Sequence, residues 1–151
     1  MRFLADHMLG SLARWMRFFG FDCSYPEVLP DKEMVDIAKN EGRIILTRDR
    51  DLANRKNVKT LYIESTDLEK QLIQVLKTFD LKITDPFTRC SVCNSVLIEV
   101  KKAEVEGKVP ERVFVWQEEF LMCEHCQKYY WQGTHFRGIK DKLEKLEGKT
   151  P

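Results

Sequence analysis

Two sets of residues carry the chemistry this chain could perform: the aspartates Asp6, Asp31, Asp49 and Asp51, and the cysteines Cys90, Cys93, Cys123 and Cys126. The stretch Arg43-Ile44-Ile45-Leu46-Thr47-Arg48-Asp49-Arg50-Asp51 runs from consecutive apolar residues into Thr and then into two carboxylates with one residue between them. That is the pattern of a buried parallel strand ending in a polar loop. Phe3-Leu4-Ala5-Asp6 repeats the same grammar, and Pro30-Asp31-Lys32-Glu33 puts a further acid at a helix start. In open α/β sheets the loops at the carboxyl ends of the strands bind ligands. Two carboxylates about 4 Å apart repel by roughly 4 kcal/mol at an effective dielectric near 20, so a cluster of them calls for a cation or a shared proton. Hard oxygen ligands suit magnesium or manganese, which keep waters and substrate phosphates as their remaining ligands. Phosphodiester hydrolysis is the chemistry such a site permits.

The cysteines point to a different metal. Cys90-Ser-Val-Cys93 and Cys123-Glu-His-Cys126 are two C-x-x-C pairs in a chain without an export signal, which favours a four-cysteine zinc site over disulfides. Two unrelated structural or redox motifs are the alternative. Cys23 stands alone and reads as a small buried hydrophobe.

These residues must be positioned by elements the sequence also predicts. After the first strand, Leu9, Leu12, Ala13, Met16 and Phe19 form one face of a helix stopped by Gly20. Phe21 to Tyr25 reads as a second strand. A helix then runs from Asp31 through Met34, Ile37 and Ala38 to Gly42, and Asp31 is equally well explained as its cap or as a metal ligand. Beyond Asp51 come a short helix over Leu52 to Arg55, a strand over Val58 to Ile63, and a helix opened by Ser65-Thr66-Asp67 whose stripe is Leu68, Leu72, Val75, Leu76 and Phe79. Strands alternating with helices make a parallel α/β sheet flanked by helices.

After Leu81 to Pro86 the grammar changes to short β-like segments: Val96 to Val100, Val113 to Trp116, Phe120 to Met122 and Lys128 to Trp131, with Lys101 to Pro110 as an exposed loop. A module this small needs a metal to fold, which suits a zinc ribbon. Phe136, Ile139, Leu143 and Leu146 form a terminal amphipathic helix. The expected division is residues 1–86, 87–135 and 136–151.

At 151 residues and 43% hydrophobic content the chain supports a real core, and its net charge of +1 gives no whole-molecule attraction to a polyanion. Nucleic-acid binding would have to rest on local patches. No apolar run could span a bilayer, no membrane partner is expected, and a cytoplasmic location follows.

Phe3-Leu4-Ala5-Asp6 with Met8-Leu9-Gly10, Leu12-Ala13-Arg14-Trp15, Asp31-Lys32-Glu33 and Ile45-Leu46-Thr47-Arg48-Asp49-Arg50-Asp51 resemble the Mut-seven C-terminal RNase domain branch of the PIN-like nucleases. Tyr130-Trp131-Gln132-Gly133-Thr134-His135 is similar to the closing motif of the zinc ribbon that this branch carries. The resemblance implies a PIN-like nuclease domain over 1–86 and a metal-dependent ribonuclease acting on RNA, with tRNA and rRNA among the candidates. In it Asp6 and Asp49 would be direct magnesium or manganese ligands, and Asp31 and Asp51 would complete the cluster or orient water. Cys90, Cys93, Cys123 and Cys126 would hold structural zinc. Pairing as a homodimer is a common habit of the fold. Glu64 and Asp67 are the positions for a fourth acid.

Arg14 and Arg48 are candidate phosphate ligands, because a guanidinium fork matches phosphate oxygens; pairing with a carboxylate is the alternative, and Arg50 reads as solvated. In the second module Tyr129, Tyr130, Trp131, His135 and Arg137 could grip single-stranded RNA by stacking, or Tyr130 and Trp131 could simply pack. A non-catalytic RNA-binding or assembly module with the same fold is the competing function. A phospho-receiver domain fits less well, because its paired acids follow the first strand and here the doublet follows the third.

Overall fold

The structure is a computed structural model that describes residues 1–133, 137–138, 141–142 and 144–146. Its first region is α/β: strands β1 (Arg2–Ala5), β2 (Asp22–Ser24), β3 (Ile44–Thr47) and β4 (Thr60–Tyr62) form one parallel sheet in the order β2-β1-β3-β4. The two central strands read as unbroken apolar runs because helices cover both faces of the sheet. Period-two alternation sends Phe3, Ala5, Ile44 and Leu46 to one face, against helices α1 (Gly10–Phe18) and α4 (Leu68–Thr78). It sends Leu4 and Ile45 to the other, against Met34, Val35 and Ala38 of α2 (Asp31–Glu41) and Leu52 of α3 (Arg50–Ala53).

This strand order fixes where a ligand would sit. From β1 the chain goes outward through α1 to β2, and from β3 it goes outward the other way through α3 to β4. The carboxyl ends of β1 and β3 therefore lie at the point where the winding reverses, which opens a crevice between adjacent loops. Gly20 ends the first helix as its sequence suggests, but for two reasons. It holds φ +91°, and a Cβ there would stand 2.2 Å from the Asp85 carbonyl oxygen, so only glycine lets the connection to the second region pass so close.

The second region is a three-stranded antiparallel sheet of β5 (Ile98–Val100), β6 (Phe120–Cys123) and β7 (Lys128–Tyr130), with β6 in the middle. Two expectations fail here. Val113 to Trp116, rich in strand formers, lies in helix α6 (Glu111–Trp116). Pro110 precedes it and Glu111 occupies its first turn, the same start as Pro30 and Asp31, and a four-residue apolar run cannot by itself choose between strand and helix. Lys101 to Pro110 is not all exposed loop either, since it contains helix α5 (Lys102–Val105) and a fully buried Val105.

The two regions are locked by buried polar groups. Arg17 is nearly buried and donates from Nε to the Cys23 carbonyl (2.8 Å) and from Nη1 to the carbonyls of Ser91 (3.0 Å) and Val92 (3.1 Å). The Asp22 carboxylate accepts from Arg43 and from Asn94, each at 2.7 Å. Burial pushes the Asp22 pKa up, but those two bonds and the charges of Arg43 and Arg89 outweigh it and hold it at about 2. Leu146, from the expected terminal helix, is buried in the core of the first region. Phe136, Ile139 and Leu143 lie outside the described residues.

Candidate functional site

Asp6 directly follows β1, and its N–H donates to the Leu46 carbonyl (2.9 Å), so it stands across from Thr47 at the end of β3. Its carboxylate is nearly buried and fully engaged by donors. Oδ1 accepts from the His7 backbone N–H (2.7 Å) and lies 2.9 Å from His7 Nδ1. Oδ2 accepts from the Thr47 hydroxyl (2.8 Å). An ionised carboxylate can only accept, so the His7 ring presents Nδ1–H to it and leaves Nε2 for other partners. The same Thr47 oxygen accepts from the Asp49 N–H at 2.9 Å. One buried hydroxyl thus ties the two aspartates together at neighbouring strand ends.

Asp49 also does a local job. It caps α3, accepting at Oδ1 from the N–H groups of Asp51 (2.8 Å) and Leu52 (3.3 Å). Asp31 does not act as a cap. That position is Pro30, whose carbonyl accepts from Met34, and Asp31 sits in the first turn, where an acid suits the positive end of the helix dipole. Neither Asp31 nor Asp51 has a side-chain hydrogen bond or ion pair among the described residues. Tyr25, just past β2, donates from its hydroxyl to the His7 carbonyl (2.6 Å), and a Cβ on Gly10 would come 3.0 Å from that hydroxyl. The loop leading toward Asp31 is thereby pinned to the loop that carries Asp6.

Among the described residues, the one group of three or more acids, cysteines or histidines whose ligand atoms gather within 4.8 Å of one another is the cysteine set. No three carboxylates among the described residues gather that closely, and Asp6 and Asp49 are the pair that hydrogen bonds through Thr47 link. Asp67, a candidate fourth acid, is the cap of α4 and accepts from Lys70 N–H at 3.1 Å.

The arginines contact groups other than the carboxylates. Arg48 donates from Nη1 to the Ile63 carbonyl (2.6 Å), and Arg50 is not simply solvated: its guanidinium lies 4.6 Å from the centre of the Tyr62 ring, with Arg48 at 5.9 Å. Arg14 lies over Phe18 and lines a cleft shared with the second region, which none of the four aspartates borders. None of the three forms an ion pair with an acid among the described residues. The contributions of Thr47 and His7 were missed from sequence. A hydroxyl two residues before Asp49 and a His beside Asp6 were visible, but their partners come from a different strand or from ring orientation.

In the second region the two C-x-x-C turns are built alike. The N–H of Asn94 donates to the Cys90 carbonyl (2.9 Å), the N–H of Gln127 donates to the Cys123 carbonyl (2.8 Å), and Asn94 and Gln127 both hold positive φ. Sγ atoms of Cys93 and Cys123 are 3.4 Å apart and those of Cys90 and Cys126 are 4.0 Å apart. Tetrahedral zinc with Zn–S bonds of about 2.3 Å places its sulfurs roughly 3.8 Å apart, whereas a disulfide needs about 2.05 Å. The four cysteines therefore form a site that could bind a metal such as zinc. Cys23 is fully buried with its thiol pushed up to about 12 by that burial, and it stays apart from this cluster as an inert core residue.

No helix among the described residues is long and apolar enough to cross a membrane. Comparison with known proteins gives one result: the model of the Mut7-C RNAse domain family matches residues 1–143. The chain belongs to that family, whose description points to a nuclease or RNA-related role. No curated protein and no solved structure matches it.

Proposed function

We propose that this member of the Mut7-C RNAse domain family is a metal-dependent ribonuclease with a PIN-like nuclease domain over residues 1–86 and a structural zinc ribbon after it. The observation that carries the proposal is the Thr47 hydroxyl, which joins Asp6 to Asp49 at the reversal point of the sheet. The donor set fits magnesium or manganese, since such ions are held by one or two carboxylates and take waters and phosphate oxygens for the rest. Asp6 and Asp49 would hold the ion, with Asp31 and Asp51 completing the cluster or orienting water. The bound ion supplies a water of lowered pKa and neutralises charge on the phosphate.

The protein's own part is positioning. His7 and Thr47 hold Asp6 from both oxygens, so its rotamer is set before substrate arrives. Helix α3 holds Asp49 through its capping bonds, which use Oδ1. Arg48, anchored on the Ile63 carbonyl beside the strand that follows, is the nearest candidate in sequence for a phosphate contact.

Two observations favour the non-catalytic alternative: Asp49 already serves as a helix cap, and no three carboxylates gather among the described residues. Cleavage of a 5′-labelled single-stranded RNA in manganese separates the two. Asp6→Asn is expected to lower the rate by about 100-fold or more, equivalent to about 2.7 kcal/mol of barrier, while RNA binding persists. If the wild type cuts no RNA with either magnesium or manganese, the binding-module function stands instead.

A further inference from the structure

The acidic edge leaves unused a surface on the second region where two clefts adjoin. The larger, about 430 Å³, is lined by Trp116, Trp131, Arg112 and Arg137, and the smaller, about 180 Å³, by Arg14, Lys128 and Tyr129. They share Trp131 and Gly133. Among the described residues no carboxylate lines either cleft, although charge over the whole chain nearly balances.

The aromatics differ in how they are held. Trp131 packs edge-on against Phe120, with ring centres 6.4 Å apart. Trp116 is 78% exposed on a helix that buries none of its residues. An indole left in water beside two arginines has no packing role among the described residues, and a fixed indole lining the same cleft gives a base a second face to stack on.

We propose that this surface is a binding track for single-stranded RNA, with Trp116 and Trp131 stacking on unpaired bases and Arg112, Arg137, Lys128 and Arg14 contacting phosphates. Cations without carboxylates match a polyanion, and aromatic faces suit unpaired bases of any sequence. Arg14 stands on α1, the helix that follows Asp6 through the turn His7–Leu9, about 6 Å along the helix axis from its first residue Gly10. The choice of RNA over DNA rests on the ribonuclease proposal; the stacking and charge do not.

The test is fluorescence anisotropy of labelled 12-nucleotide oligouridine and oligoadenylate without added magnesium or manganese, so that binding is read without cutting. Trp116→Ala touches no core and is expected to weaken binding by about 5- to 150-fold, which is the span of stacking energies of roughly 1 to 3 kcal/mol per base. The double change Arg112→Gln, Arg137→Gln should reduce the slope of log affinity against log salt by about 1.4, or about 0.7 per lost phosphate contact. Wild-type tryptophan fluorescence should be quenched by RNA, and less so in Trp116→Ala. The track is overturned if both variants bind as wild type, if only double-stranded RNA binds, or if Trp116→Ala turns a dimer into a monomer by light scattering with RNA affinity unchanged. If the variants lose binding yet the wild type never cuts, the track stands and the nuclease proposal fails.

Discussion

The two candidate metal sites of this chain are assembled in opposite ways. The cysteine site is gathered by two short turns of the same design, each closed by one backbone hydrogen bond and one residue at positive φ. Its four sulfurs already lie within 4.8 Å of one another, two of the pairs at 3.4 and 4.0 Å. The acidic site draws on residues after two different strands, and its members are held by protein donors: Thr47 and His7 on Asp6, the α3 backbone on Asp49. The small module has little core of its own. Its buried cluster is Cys90, Leu97 and Cys123, so a metal bound by the cysteines would stand at the centre of its fold. The carboxylates sit at the carboxyl edge of a parallel sheet whose core is packed by side chains alone, so an ion held there would not be needed for folding.

Removing the cysteine-bound metal is the sharpest way to break this comparison. Chelation, or Cys123→Ser, should release one metal per chain and unfold the second region, because structural zinc contributes apparent binding energies of roughly 10 to 16 kcal/mol. Hydrogen exchange should show amides of β5, β6 and β7 losing protection while those of β1 and β3 keep it. Simultaneous loss in the parallel sheet would mean that the two regions fold as one.

A smaller effect is expected at the acidic edge. Thr47→Val removes the donor to Asp6 and the acceptor for the Asp49 N–H, both in a buried setting, and should cost about 1–3 kcal/mol for each group left unsatisfied. Denaturant unfolding would measure it, and Thr47→Ser should restore most of the loss. Cleavage should fall in Thr47→Val and recover in Thr47→Ser, whereas a hydroxyl with only a structural role would leave the rate per folded molecule unchanged.

The smallest effect concerns the joint between the regions. Asp22 titrates at about 2 in the folded chain against an ordinary value of 3.8. A depressed carboxylate contributes stability that is fully present above the unfolded value and is lost as pH falls through the folded one. Stability should therefore decline from about pH 4 toward pH 2, and Asp22→Asn should flatten that part of the profile while lowering stability at neutral pH. An unchanged acid limb in the variant would show that Asp22 does not govern the joint.

Much of this was written in local sequence. The apolar runs Phe3 to Ala5 and Ile44 to Leu46 specify strands buried on both faces, Gly20 and Gly42 close their helices, and the paired C-x-x-C turns bring together four cysteines that could bind a metal. The sequence was misleading where one short segment satisfied two patterns. Val113 to Trp116 has strand-forming residues but starts after a proline and an acid, and it became a helix. Asp31 has the residue type of a cap, yet the backbone placed Pro30 there.

What the chain determined by itself is everything set by neighbours a few residues apart: element type, helix ends, the spacing of the cysteine turns. Tertiary structure alone decided that a threonine on β3 would join Asp6 to Asp49, that Arg14 would line a cleft with the second region, and that Trp116 would stand exposed in a cleft it shares with Trp131. Hydrogen bonds and clefts of that kind depend on which strands lie side by side and how two modules dock, and no periodicity within one segment encodes it.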